Sequence, residues 1–171
     1  MKQKFLKLAS LILVLGISAV AFTSCEEDEM NPTTKSTVVD VIVNSNNHNT
    51  LEAAVIAANL TGTLSGMGPS TVFAPTDAAF AALPTGTLNA LLTDPSGDLT
   101  DILKYHVVSG KAMSSSLTNG QVITTILGEN ITVTINNDGV FINNAKVIVV
   151  DIEADNGVVH VIDAVLIPTA K

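Results

Sequence analysis

A chain of 171 residues with eight basic side chains, all lysine, and sixteen acidic ones carries a formal charge of −8. Phosphate binding needs clustered Lys and Arg, so this composition argues against nucleic acid as a partner. Three histidines and one cysteine form no His/Cys cluster for zinc and no disulfide; without tryptophan, Val, Ile, Leu and Ala must fill the core.

Lys2, Lys4 and Lys7 precede a nearly continuous apolar run over 8–22, too short for a membrane span and patterned like a cleaved targeting segment. The run ends in Phe22-Thr-Ser-Cys25, which resembles a bacterial lipoprotein signal: residues 1–24 are removed and Cys25 becomes the lipidated first residue. That resemblance implies a membrane partner through a lipid anchor. The plainer alternative is a secretory signal with an incidental cysteine, although a lone thiol has no disulfide partner to explain it. Glu26, Glu27, Asp28 and Glu29 read as a solvated acidic linker, and they also resemble the surface-export signal of Bacteroidetes lipoproteins. Residues 25–36 are therefore a lipidated, acidic tether, with Asn31-Pro32 marking a flexible stretch. Loss of 1–24 removes three lysines and no acid, leaving five basic against sixteen acidic side chains, a charge of −11. The remaining 147 residues suffice for one domain, placed at 37–168 with a tail at 169–171.

Within the domain, Val38, Val39, Ile42 and Val43 suit a short amphipathic helix. A polar turn over 44–49 holds His48 in solvent, and Thr50 precedes a second apolar face of Leu51, Ala54, Val55 and Ala58. Gly62, Gly66, Gly68 and Pro69 predict a loosened chain before a strand at 71–74. Pro75 stops that strand, and Thr76 or Asp77 caps a helix that buries Phe80 and Leu83 and ends at Pro84. Further helical patterns cover 87–92 and 99–105, the latter with Ile102, Leu103 and His106 at helical spacing. The remainder reads as strands at 121–127, 131–136, 140–143, 146–152 and 158–166, separated by Asn/Gly turns. Ile131-Thr-Val-Thr-Ile135 alternates as a sheet with one wet face should. Helices first and strands later make an α+β domain.

Three segments stand out: Thr-Val-Phe-Ala-Pro-Thr-Asp-Ala-Ala-Phe at 71–80, Asp-Ile-Leu-Lys-Tyr-His-Val-Val-Ser-Gly at 101–110, and Asn-Gly-Val-Val-His-Val-Ile-Asp-Ala-Val-Leu-Ile-Pro at 156–168. In this order they resemble the first signature, the Tyr-His segment and the second signature of the fasciclin (FAS1) family. The resemblance implies a wedge of two β-sheets with helices packed along one side. It also implies adhesion, which in animal matrix members is attributed to the Tyr-His segment and to an Asp-Ile pair ahead of the second signature. Tyr105, His106, Asp151 and Ile152 occupy the matching positions and are the candidate adhesion residues. Val149-Val150 before the pair and Glu153 after it depart from the animal motifs. Read without the family, His106 is a core histidine bonded to backbone, His160 is structural, Ile152 is core and Asp151 ends a strand.

No Gly-x-Ser-x-Gly elbow, phosphate-binding glycine loop or nucleophile-plus-base arrangement is written in the sequence, so an enzyme, a cofactor and a metal are not expected. Carboxylate pairs for glycan hydrolysis leave no sequence mark, which keeps a glycan-active enzyme as the third reading. The first is a lipid-anchored, surface-exposed outer-membrane module adhering to a matrix protein, a glycan or an envelope protein. The second is a structural envelope lipoprotein or a subunit of a surface assembly. Oligomeric state leaves no signature.

Overall fold

A computed structural model describes residues 36–66, 68–84, 86, 93 and 97–169. Cys25, the acidic run and the helix expected over 87–92 lie outside the described residues.

Two strands form the centre. β1 (Ser70–Pro75) and β7 (Gly157–Ile162) pair in parallel from Ser70↔Gly157 to Pro75↔Ile162, and every residue of both is buried. Parallel strands are covered on both faces, and the side-chain alternation serves both covers here. Val72, Ala74 and Val159 face a helical layer, whereas Phe73 and Ile162 face the remaining strands.

The helical layer consists of α1 (Val38–Val43), α2 (Asn49–Ala57), α3 (Thr61–Gly66), α4 (Asp77–Ala81) and α5 (Asp98–Tyr105). Leu51, Ala54 and Val55 of α2 and Leu99, Ile102 and Leu103 of α5 fall at helical spacing and fill this half of the core. Thr37 and Asp40 form a reciprocal capping box on α1. The α3 helix corrects the expectation of a loosened chain: Leu64 is buried, and Asn156 Nδ2 donates to the Leu64 and Ser65 carbonyls at 2.8 and 3.2 Å. Those bonds satisfy the helix end, while Gly62 and Gly66 face open space. The α4 helix stops at Ala81, earlier than Pro84 suggested, and leaves Leu83 half-buried.

The other strands are β2 (Val107–Ser109), β3 (Val122–Thr124), β4 (Asn130–Asn136), β5 (Gly139–Ile142) and β6 (Ala145–Ala154), in the order β2-β1-β7-β6-β5-β4-β3. β2, three residues long, had no sequence signal separate from the helix before it. The outer strands meet: Val108 bridges Thr125, and the Ile126 N–H donates to the Val107 carbonyl at 2.8 Å. The sheet therefore curls back on itself, and its two halves are the walls of the expected wedge. Phe73, Ile131, Val133, Ile142, Ile162 and Leu166 pack between them. The final run leaves the sheet at Ile162 rather than at 166.

Candidate functional site

The Tyr-His pair lies where α5 passes into β2. Tyr105, the last helical residue, is 2 % exposed; its hydroxyl donates to the Asn130 carbonyl and accepts from Asn143 Nδ2, each at 3.0 Å. His106, also 2 % exposed, donates from Nδ1 to the Ile102 carbonyl at 2.7 Å and accepts the Leu166 N–H at Nε2 at 2.9 Å. A carbonyl on one nitrogen and an N–H on the other require the neutral ring. Burial pushes the His106 pKa from 6.5 down to about 4, against the opposing pull of the Ile102 carbonyl. Neither side chain offers surface to a partner; together they tie α5 to β4, to the β5–β6 turn and to the C-terminal segment.

The Asp-Ile pair sits elsewhere. Asp151 does not end a strand, because β6 continues to Ala154. It occupies the left-handed region at φ 58° beside register shifts at Val147/Val149 and Val149/Ile152. Non-glycine residues rarely adopt that conformation, Asp being among the tolerant ones. Its carboxylate accepts the Ser114 N–H at 2.7 Å and the Ser114 hydroxyl, and its N–H donates to His160 Nδ1 at 3.2 Å. Desolvation pushes the Asp151 pKa up, but the Ser114 bonds and the Lys111 charge outweigh it and leave it below the ordinary value.

His160 donates from Nε2 to the Ala112 carbonyl at 2.8 Å and stacks on Phe73, ring centroids 5.6 Å apart. Thr71 Oγ1 donates to the Gly110 carbonyl and accepts the Ala112 N–H. Lys111 pairs with Glu153 at 2.7 Å. Residues 110–114 thus form a strap laced across β1, β6 and β7. Ile152, expected in the core, is half-buried and packs against the helical core from its edge. Among the described residues no hydrogen bond joins Asp151-Ile152 to Tyr105-His106. Beside Asp151, however, Ile148, Val149 and Val150 are all exposed. In sequence that run reads as an ordinary strand, because a bulge leaves no pattern of its own.

His48 is buried, not solvated. It is 6 % exposed, with Nδ1 2.7 Å from Ser45 Oγ and Nε2 without a hydrogen-bond partner among the described residues. Burial lowers its pKa, opposed by the Asp77 charge. Among the described residues no carboxylate is hydrogen-bonded to the ring opposite Ser45, as the third member of a triad would be. Among the described residues no three His, Cys, Asp or Glu side chains gather as a metal site.

The sequence matches the Fasciclin domain over residues 46–168. The chain belongs to the fasciclin domain family. It is similar to protein sll1483 of Synechocystis, 42 % identical over 90 % of this chain and 89 % of that one. It is also similar to the cell surface glycolipoprotein MPB83 of Mycobacterium bovis, 41 % identical over 66 % of this chain and 50 % of the relative. Its fold is similar to that in the FAS1 domain pair from the insect cell adhesion molecule fasciclin I, with a TM-score of 0.63 at 16 % identity, over 77 % of this chain and 51 % of that chain. This fasciclin domain spans about half the length of the latter two proteins.

Proposed function

We propose that this fasciclin-domain chain is a lipid-anchored adhesion module displayed at a bacterial cell surface. The observation that carries the reading is its 41 % identity to a cell surface glycolipoprotein, taken with Cys25 directly behind an apolar run. The solved fold it resembles comes from a cell adhesion molecule. The geometry supports binding over chemistry: His106 and His160 each spend both ring nitrogens on backbone groups, while aliphatic side chains stand in solvent nearby. Several acyl chains on Cys25 give a stable anchor where a single one is marginal. The acids at 26–29 then serve surface export.

Two experiments test this. Cys25→Ala should move the protein from the membrane to the soluble fraction; a variant still membrane-bound after a carbonate wash removes the anchor from the proposal. Protein displayed in many copies on beads should adhere to matrix proteins, glycans or cells where the monomer binds poorly, because display raises effective concentration. Failure of displayed protein across such panels leaves the structural envelope role in its place.

A further inference from the structure

Ile148, Val149 and Val150 are 49, 46 and 43 % exposed. A regular strand sends alternate side chains to opposite faces, so with one face covered, as at the buried Ala145 and Val147, three consecutive residues would not all meet water. Here the ladder to β7 shifts register at Val147/Val149 and again at Val149/Ile152, and Asp151 turns left-handed at φ 58°. The distortion is held in place by the Asp151 bonds to Ser114 and His160. Three exposed aliphatics in a row are avoided on soluble domains unless the surface has a partner.

The surrounding charges select that partner. Asp163 accepts the Lys146 N–H at 2.8 Å two residues before the ridge, and Asp151 and Glu153 follow it on the same strand. Asp138 adjoins Gly139, over which the Lys146 side chain lies. Against these four carboxylates stand Lys146 and Lys111, the latter already paired with Glu153. A second copy would oppose like charges, and an anionic lipid surface would be repelled. The complementary occupant is a protein surface with an apolar centre bordered by Lys or Arg. We propose that the ridge of Ile148, Val149 and Val150 is the contact through which the domain docks such a basic-rimmed protein partner. This rests on the adhesion reading above and names the partner class it takes.

The test uses the soluble Cys25→Ala chain, immobilised, and three short helical peptides: a Leu face flanked by Lys, the same face flanked by Glu, and the Lys flanks with Gln in place of Leu. The Lys-flanked apolar peptide should bind in preference to both others. Ile148→Ser with Val150→Ser should weaken it about tenfold or more, and Asp138→Lys should weaken it and flatten its salt dependence. Equal binding to the double Ser variant, or no binding by any peptide, overturns the proposal. Self-association in sedimentation that disappears in the double Ser variant also overturns it, making the ridge an interface between copies. Bead adhesion separates the two readings. Wild type and the double Ser variant adhering equally sinks the ridge and leaves adhesion standing; ridge-dependent peptide binding without bead adhesion does the reverse.

Discussion

The carboxylate of Asp77 caps a helix to which it does not belong: Oδ1 accepts the Thr50 N–H at 2.7 Å, 27 residues back along the chain. Its Oδ2 takes the Asn49 N–H at 3.3 Å and Asn49 Nδ2 at 3.0 Å. His48, the residue at the N-cap of α2, makes no side-chain capping bond, so Asp77 supplies the missing acceptor. Its neighbour Thr76 caps α4 through the Ala79 N–H at 3.2 Å. Two adjacent residues thus close the N-termini of two helices and lock α2 to the end of β1.

Asp77→Ala should therefore lower stability by about 1–2 kcal/mol, at the upper end of capping effects because two helix elements part. Thr76→Ala should lower it by about 1 kcal/mol. Urea denaturation measures both. An Asp77→Ala curve that superimposes on wild type would show that the cross-chain cap contributes nothing.

Acid should destabilise the domain well before the carboxylates titrate. The His106 pKa falls to about 4 and that of His48 is also lowered, both chiefly by burial. A histidine depressed in the folded state stabilises fully above its unfolded value of 6.5, and that contribution is lost as pH falls towards the folded value. For His106 the loss is on the order of 3 kcal/mol by pH 4. Asp77, lowered mainly by the Thr50 N–H, acts in the same direction but from about 3.8 downwards. NMR of the His106 imidazole should show no inflection near 6.5, and the urea midpoint should already drop between pH 6.5 and 4.5. An inflection at 6.5 would mean that the ring is wet.

Much of this was legible in the residues. Val, Ile and Thr runs marked β4 and β5, and the helical spacing of Leu99, Ile102 and Leu103 marked α5. The buried, backbone-bonded His106 also follows from its apolar neighbours. What stayed hidden depends on contacts between distant segments. Leu64 and the Asn156 side chain make α3 a helix, though its local sequence is glycine-rich. His48 sits in a polar turn yet is buried, because the turn folds down beside Asp77 and Ala74. The outward ridge depends on a bulge that neither propensity nor alternation encodes. Family likeness pointed to Tyr105, His106, Asp151 and Ile152, but only the structure distinguishes side chains that hold the surface in place from those that form it.

Gly157 is required where β7 begins against β1. A Cβ there would overlap the Ser70 carbonyl, which belongs to a backbone that cannot move without unpairing the central strands. Gly157→Ala should destabilise by about 3 kcal/mol or more. Gly120 is the control: its φ of +80° disfavours a side chain, but open space surrounds it, so Gly120→Ala should lose only about 1–2 kcal/mol. Comparable losses at the two sites would mean that steric overlap at Gly157 is relieved by an unseen adjustment.

Asp151 combines an unfavourable backbone with a favourable carboxylate, and substitutions can separate the two. Asp151→Gly removes the left-handed strain along with the bonds to Ser114, whereas Asp151→Ala keeps the strain and loses the bonds. The Ala variant should therefore be less stable than the Gly variant by about 1–2 kcal/mol. Asp151→Asn should stay close to wild type, because Asn tolerates this conformation and its carbonyl can accept the Ser114 N–H. A double-mutant cycle with Ser114→Ala should return a coupling of about 1.5–3 kcal/mol, the range for a hydrogen bond to a charged group. Hydrogen exchange at Ala112 and Ser114 should accelerate in both the Gly and Ala variants as the strap loosens. A coupling near zero with unchanged exchange would show that the strap is held by Thr71, His160 and the Lys111–Glu153 pair, leaving Asp151 only the bulge to shape.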